Sequence, residues 1–193
     1  LRSPISFAKV EYFVDKLTLQ QPDSVIASVD HILSLAKPNE ETFKFYLVHF
    51  LNTYAKSKIM GMDAVFVHLA ENYYAKGQAP WTPEENLQKI VDKGIKIKPL
   101  LIGKTAPDIK ADVLDVAASL KLKDHENILQ RFNTGETIAL HQVEAEYTVL
   151  FIWAPDCGHC KKAMPKLIKF YEDYQAKGVE IYAVCSKFVN GLP

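Results

Sequence analysis

Apolar residues recur every three or four positions through the first hundred residues, the spacing that gathers them on one face of an α-helix. Phe7, Val10, Phe13, Val14 and Leu17 predict a first amphipathic helix, which Pro22-Asp23-Ser24 interrupts. Val25, Val29, Ile32, Leu33 and Ala36 predict a second, stopping before Pro38 because the residue ahead of a proline is driven out of the helical region. Asn39 is placed as the N-cap of a third, with Phe43, Leu47, Phe50, Leu51 and Tyr54 as its apolar face. Gly61 breaks the pattern, and a fourth helix follows through Met62, Val65, Phe66, Leu69 and Tyr73 to an end near Gly77. For the fifth, Thr82 is the expected N-cap, Pro83 the first helical residue and Glu85 the closing member of a capping box, with Leu87, Ile90 and Val91 facing inward. Short helices separated by breakers, with no strand-like alternation, predict an all-helical domain over residues 1–97.

The pattern changes at residues 98–108, where two prolines and a glycine forbid a continuous helix and mark a domain junction. Beyond it the reading turns to strands. Residues 128–132 and 137–140 flank Asn133-Thr134-Gly135-Glu136, a hairpin turn by composition, while 113–124 fits no single element. Tyr147 to Trp153 is an apolar, β-branched and aromatic run suited to a buried strand. Met164, Leu167, Ile168, Tyr171 and Tyr174 then give one face of a helix that stops at Gly178, and Val179 to Val184 reads as another buried strand. Strand, helix and strand make a βαβ unit, whose two strands are expected to run parallel.

Reactive side chains sit at a chemically meaningful spacing in Cys157-Gly158-His159-Cys160. Two intervening residues let one helical turn bring the sulfurs within bonding reach. The pair falls where a strand ends and a helix begins, so unpaired backbone N–H groups and the positive end of the helix dipole favour an anion at Cys157. A lowered thiol pKa follows, and the thiolate is the nucleophile. Cys160, one turn on, is placed to resolve a mixed disulfide formed at Cys157. A partial positive charge on His159 favours the thiolate further, Asp156 opposes it slightly, Trp153 packs beside the site and Pro155 shapes the turn.

Composition narrows the alternatives. The chain has 193 residues, 48% of them hydrophobic, enough for a substantial core. Lysine plus arginine equals aspartate plus glutamate at 23 each, so no long-range field attracts nucleic acid or an anionic membrane, and neither partner is expected. No apolar run reaches the length of a membrane span, and Leu1 begins no basic-then-apolar leader, so the start reads as trimmed. Three cysteines are too few for a disulfide-stapled fold, and Cys185 reads as a small hydrophobe at a strand end. No second cysteine or histidine pair accompanies the first, which argues against a zinc site, and no organic cofactor is implied. His31, His49, His68, His125 and His141 are scattered without metal spacing and read as structural or surface residues; the lysines at 93, 96, 98 and 104 read as a solvated face.

With those residues in view, positions 103 to 185 resemble the first half of a thioredoxin-like domain of the TlpA/ResA type, thiol-disulfide oxidoreductases of the bacterial envelope. The resemblance rests on Gly103-Lys-Thr-Ala-Pro-Asp108, the hairpin around Gly135, the strand ending in Trp153-Ala154-Pro155, the Cys-Gly-His-Cys tetrad, and Pro165, which matches the proline that bends the active-site helix in this fold. The tetrad alone also occurs in protein disulfide isomerases. The helical half, including residues 57–71, resembles a helical domain of unknown function found ahead of such domains. The expected fold class is therefore a two-domain α+β chain: an N-terminal all-helical domain, then an incomplete thioredoxin-like α/β domain over residues 109–193.

The resemblance implies disulfide exchange on protein thiols or disulfides, a redox partner protein, and a bacterial cell-envelope or periplasmic location. Two departures qualify it. Relatives often carry a glutamate three residues after the second cysteine, where this chain has Ala163. Only 33 residues follow Cys160, too few to reach the family's cis-proline and later strands, so the chain is expected to be a fragment and a poor catalyst, with an apolar sheet edge open to self-association. Two other functions compete with this reading: a partner-binding module of the envelope with a vestigial or regulatory cysteine pair, and a peroxidase, which Ala154 disfavours because it stands where peroxiredoxins place a threonine.

Overall fold

The computed structural model describes residues 4–114, 133–154 and 156–186. The chain divides into two compact units, Leu1–Pro107 and Asp108–Pro193.

In the first unit, α1 (Pro4–Tyr12) runs into a π-helical turn (Phe13–Leu17), followed by α2 (Pro22–Ala36), α3 (Glu40–Ala55), α4 (Asp63–Leu69) with a second π-helical turn (Ala70–Tyr74), and α5 (Glu84–Ile97). The expected faces of α2 and α3 are buried in full: Val25, Val29, Ile32, Leu33 and Ala36 from one, Phe43, Leu47, Phe50, Leu51 and Tyr54 from the other. Each such aliphatic or aromatic side chain stabilises the fold by about 1.5–3 kcal/mol when removed from water. Asn39 caps α3 as expected, its Oδ1 accepting from the Thr42 backbone N–H at 2.9 Å and from the Thr42 hydroxyl at 2.8 Å.

The structure departs from the sequence reading wherever the helical period changes. Thr18 donates from both its N–H and its hydroxyl to the Phe13 carbonyl, closing the first π turn. Val14 then enters the core, while Phe13 and Leu17, expected inside, are 39% and 65% exposed. The second π turn inserts one residue into the spacing, so Tyr74 rather than Tyr73 becomes the fully buried aromatic after Leu69. Pro22 starts α2 rather than merely interrupting, since a proline at the first turn gives up an N–H that would have no helical partner. At α5 the N-cap is Pro83, with ψ 143°, and no side chain caps it, so the expected Thr82 cap and Glu85 capping box do not form. Leu87, Ile90 and Val91 are half-buried, and the closest approach of α5 is at Gly94, where a Cβ would lie 3.1 Å from that of Ala70.

The second unit contains β1 (Lys110–Leu114), β2 (Asn133–Ala139), β3 (Tyr147–Trp153), α6 (Gly158–Tyr174) and β4 (Val179–Cys185). β1 and β2 pair antiparallel, from Lys110 opposite Ala139 to Leu114 opposite Asn133, with a register shift after Asp112. Asn133 to Glu136 is therefore strand, not the expected hairpin turn. Gly135, at φ 76°, takes up the irregularity inside β2, a conformation that glycine adopts without a Cβ penalty. The strand expected over 128–132 and most of 113–124 lie outside the described residues; 113 and 114 belong to β1.

β3 and β4 pair parallel in seven-residue register, from Tyr147 opposite Val179 to Trp153 opposite Cys185, with α6 as the connection. This is the expected βαβ unit. Gly178 ends the helical segment at φ 82°, and an added Cβ would lie 2.9 Å from the Glu146 Cβ. β3, expected to be buried, leaves Tyr147 and Ile152 exposed because, among the described residues, its only paired neighbour is β4. Tyr182 joins the two ladders: its hydroxyl lies 2.9 Å from the Ile109 carbonyl and 2.8 Å from that of Ile138.

Candidate active site

The end of β3 and the start of α6 position the two sulfurs. Beyond Trp153 the chain turns at the buried Ala154, whose carbonyl accepts from the Cys157 N–H at 3.1 Å. Cys157 is the N-cap of α6, in extended conformation, and its carbonyl accepts from the Lys161 N–H as the first helical bond. Its Sγ takes the capping role usually filled by a hydroxyl or carboxylate oxygen, accepting from the Cys160 backbone N–H at 3.2 Å. Both cysteines are reduced and partly exposed.

This geometry separates the two thiols. The Cys157 pKa is lowered, first by the hydrogen bond from the Cys160 thiol, then by the backbone N–H groups of Cys160 and His159; burial and the Asp156 carboxylate oppose the shift. The Cys160 pKa is raised, chiefly because its thiol proton is held by Cys157 and because a second negative charge beside the first is disfavoured. Of the two sulfurs, Cys157 is thus the one favoured as thiolate and Cys160 the one favoured to keep its proton. His159 supports the thiolate through its backbone, while the residue itself is exposed.

The other candidate residues fall around this pair. Gly158 opens α6 and is exposed, Trp153 closes β3 and is half-buried, and Pro165 lies within α6, where it can donate no backbone hydrogen bond. Pro155 lies outside the described residues. On the Cys160 side a groove of about 400 Å³ is lined by Trp153, Ala154, Lys161, Met164, Pro165 and Ile168 as well as by Cys160. Met164 and Ile168 were legible only as part of a helical face; their four-residue spacing from Cys160 is the signal that places them on the cysteine's side of α6. Cys185 is half-buried across from Trp153, next to Ser186, whose N–H donates to the Trp153 carbonyl at 2.8 Å. Among the described residues no three His, Cys, Asp or Glu side chains cluster as a metal site.

The AhpC/TSA family matches residues 102–189. This match supports the resemblance of residues 103–185 to a thioredoxin-like domain of the TlpA/ResA type. Similar curated proteins are the thiol-disulfide oxidoreductase ResA of Halalkalibacterium halodurans, 40% identical over 50 residues, and that of Oceanobacillus iheyensis, 42% identical over 48. The matched stretches cover 26% and 25% of this chain, and 28% and 25% of the respective relatives. No solved structure gives a significant match. In the second unit, a strand end and a helix N-terminus hold one sulfur with a second thiol hydrogen-bonded to it, an arrangement compatible with two-step disulfide exchange. No helix among the described residues is long and apolar enough to cross a membrane.

Proposed function

We propose that the thioredoxin-like domain exchanges disulfides with protein substrates through Cys157 and Cys160, in the bacterial cell envelope. The observation that carries this reading is the asymmetry of the pair: a sulfur at the helix N-cap with its pKa lowered, hydrogen-bonded to a partner thiol with its pKa raised. In the reducing direction the Cys157 thiolate attacks one sulfur of a substrate disulfide, forming a mixed disulfide and releasing one substrate thiolate. Cys160 then loses its proton and attacks the Cys157 sulfur. The second substrate sulfur leaves as a thiol, and the protein keeps the Cys157–Cys160 disulfide. Two electrons have passed to the substrate, and a redox partner protein returns the pair to its dithiol form.

The exposed His159, between the cysteines, adds positive character that makes the disulfide a stronger oxidant. Trp153 and Pro165 wall the Cys160 side, and Gly158 keeps the approach to Cys157 free of a side chain.

Reaction of the reduced chain with an aromatic disulfide tests the proposal. Wild type is expected to release the aromatic thiol rapidly, Cys157→Ser to lose the reaction, and Cys160→Ser to stop at a mixed disulfide visible by mass spectrometry. Undiminished exchange by Cys157→Ser would sink the assignment.

A further inference from the structure

A second cluster of chemistry lies in the helical unit, away from the cysteines. Asp30 of α2 receives two side chains from the fourth helix: His68 Nε2 at 2.9 and 3.0 Å from its carboxylate oxygens, and the Tyr73 hydroxyl at 2.8 Å. Residues five apart point about 140° from each other on an α-helix. The π turn over Ala70–Tyr74 instead brings His68 and Tyr73 onto the same side, so both reach one carboxylate.

The network continues to the rim of a groove. Lys76 donates to Asn72 Oδ1 at 2.8 Å, and an ammonium can only donate, so the Asn72 amide orientation is fixed. Its Nδ2 faces His68 Nδ1 at 3.1 Å, which leaves the imidazole proton on Nε2, toward Asp30. Gln78 Nε2 donates to the Asn72 carbonyl, and Gln78 Oε1 accepts from Lys37 at 3.2 Å. Lys37 and Lys76 thus stand on one connected scaffold around a cavity of about 320 Å³.

The partners of these lysines distinguish them from Lys89 and Lys98. Lys89 and Lys98 meet the carboxylates of Glu85 and Glu71. Lys37 and Lys76 meet only neutral amide oxygens among their hydrogen bonds to described residues, so their charge is not cancelled and each keeps further N–H groups for a ligand. Two ammonium groups against the single carboxylate of Asp30 leave the cavity lining at +1, in a chain whose formal net charge is zero. Phe43 supplies the apolar wall, with the fully buried Leu33 behind it. The volume is at the small end of the range for small-molecule sites.

We propose that this cavity binds a small organic carboxylate, its anionic group between Lys37 and Lys76 and its apolar body against Phe43. The π turn is the structural device that sets the lysine-bearing rim, by fixing Asn72 through His68.

Titration of the full chain with benzoate, followed through the His68 ring resonances by NMR, tests it. Saturable shifts are expected with benzoate and not with benzamide, which has the same shape without the charge. Lys37→Gln and Lys76→Gln, both at exposed positions, are each expected to weaken binding about tenfold, the scale of one charge-assisted hydrogen bond, with an unchanged circular dichroism spectrum. Cys157→Ser is expected to bind as wild type does. Absence of saturation, equal response to benzamide, or full affinity in both lysine variants would overturn the proposal. Displacement of benzoate by inorganic phosphate at equal affinity would overturn the carboxylate assignment, because the apolar wall would then contribute nothing.

Discussion

At Cys157 the capping interaction and the chemistry are the same contact. The sulfur that satisfies the Cys160 N–H at the start of α6 is thereby stabilised as an anion, and the neighbouring thiol proton is drawn toward it. Lowering an acid's pKa widens the range over which it is ionised. Cys157 is therefore expected to stay reactive below the ordinary thiol range and to lose reactivity only as pH falls through its lowered value. Cys160, shifted upward, is expected to react only above that range. Rate measurements of iodoacetamide alkylation against pH, with each cysteine followed by mass spectrometry, check the order; faster alkylation of Cys160 at neutral pH would contradict it. The same shift makes the Cys157–Cys160 disulfide a better oxidant, a contribution complete above the ordinary thiol value and lost as pH falls through the lowered Cys157 value. The tetrad's position at a strand-to-helix junction was legible from the run at 147–153 and the apolar spacing after Cys160. That the Cys157 sulfur itself serves as the cap was not, because no rule of sequence distinguishes a capping cysteine from one pointing into solvent.

Among the elements, the strands around the site depend on contacts distant in the chain. Tyr182 sits in the middle of β4, yet its hydroxyl meets the carbonyls of Ile109 and Ile138, at either side of the β1–β2 ladder. Tyr182→Phe is expected to cost about 0.5–1.5 kcal/mol, the net worth of one hydrogen bond, since the Ile109 carbonyl keeps the Leu140 N–H as a donor. Denaturant unfolding followed in the second unit reads the change, and a loss below about 0.3 kcal/mol would show that the hydroxyl is not the tie between the ladders. Element existence was legible wherever periodicity was sustained: α2 and α3 bury the residues their spacing predicts, and Asn39 caps where it was placed. Periodicity misplaced Phe13, Leu17 and Tyr73 because a π turn shifts the helical phase without altering composition. Gly135 misled in another way: glycine at positive φ fits a turn and an irregular strand equally, and only the pairing with β1 decides between them.

Over the whole molecule, stability is unevenly distributed. Val25, Val29, Leu33, Leu47, Val65 and Leu69 are all fully buried in one cluster in the helical unit. In the second unit the described buried apolar residues are Ala139, Leu140, Ala154, Val179 and Tyr182, and α6 buries no residue completely. Hydrogen exchange is therefore expected to be slowest in α2, α3 and α4, and distinctly faster in β3, β4 and α6. Equal protection in the two units would refute this ordering. The sequence by itself determined the faces of α2 and α3, the parallel βαβ unit and the cysteine pair, because these follow from local spacing and from chemistry confined to a few adjacent residues. Tertiary structure decided the thiolate's hydrogen-bond partners, the join made by Tyr182 and the gathering of Asp30, His68, Tyr73, Lys37 and Lys76 around one cavity. Those depend on helical phase and on pairings across tens of residues, which the order of residues along one segment does not encode.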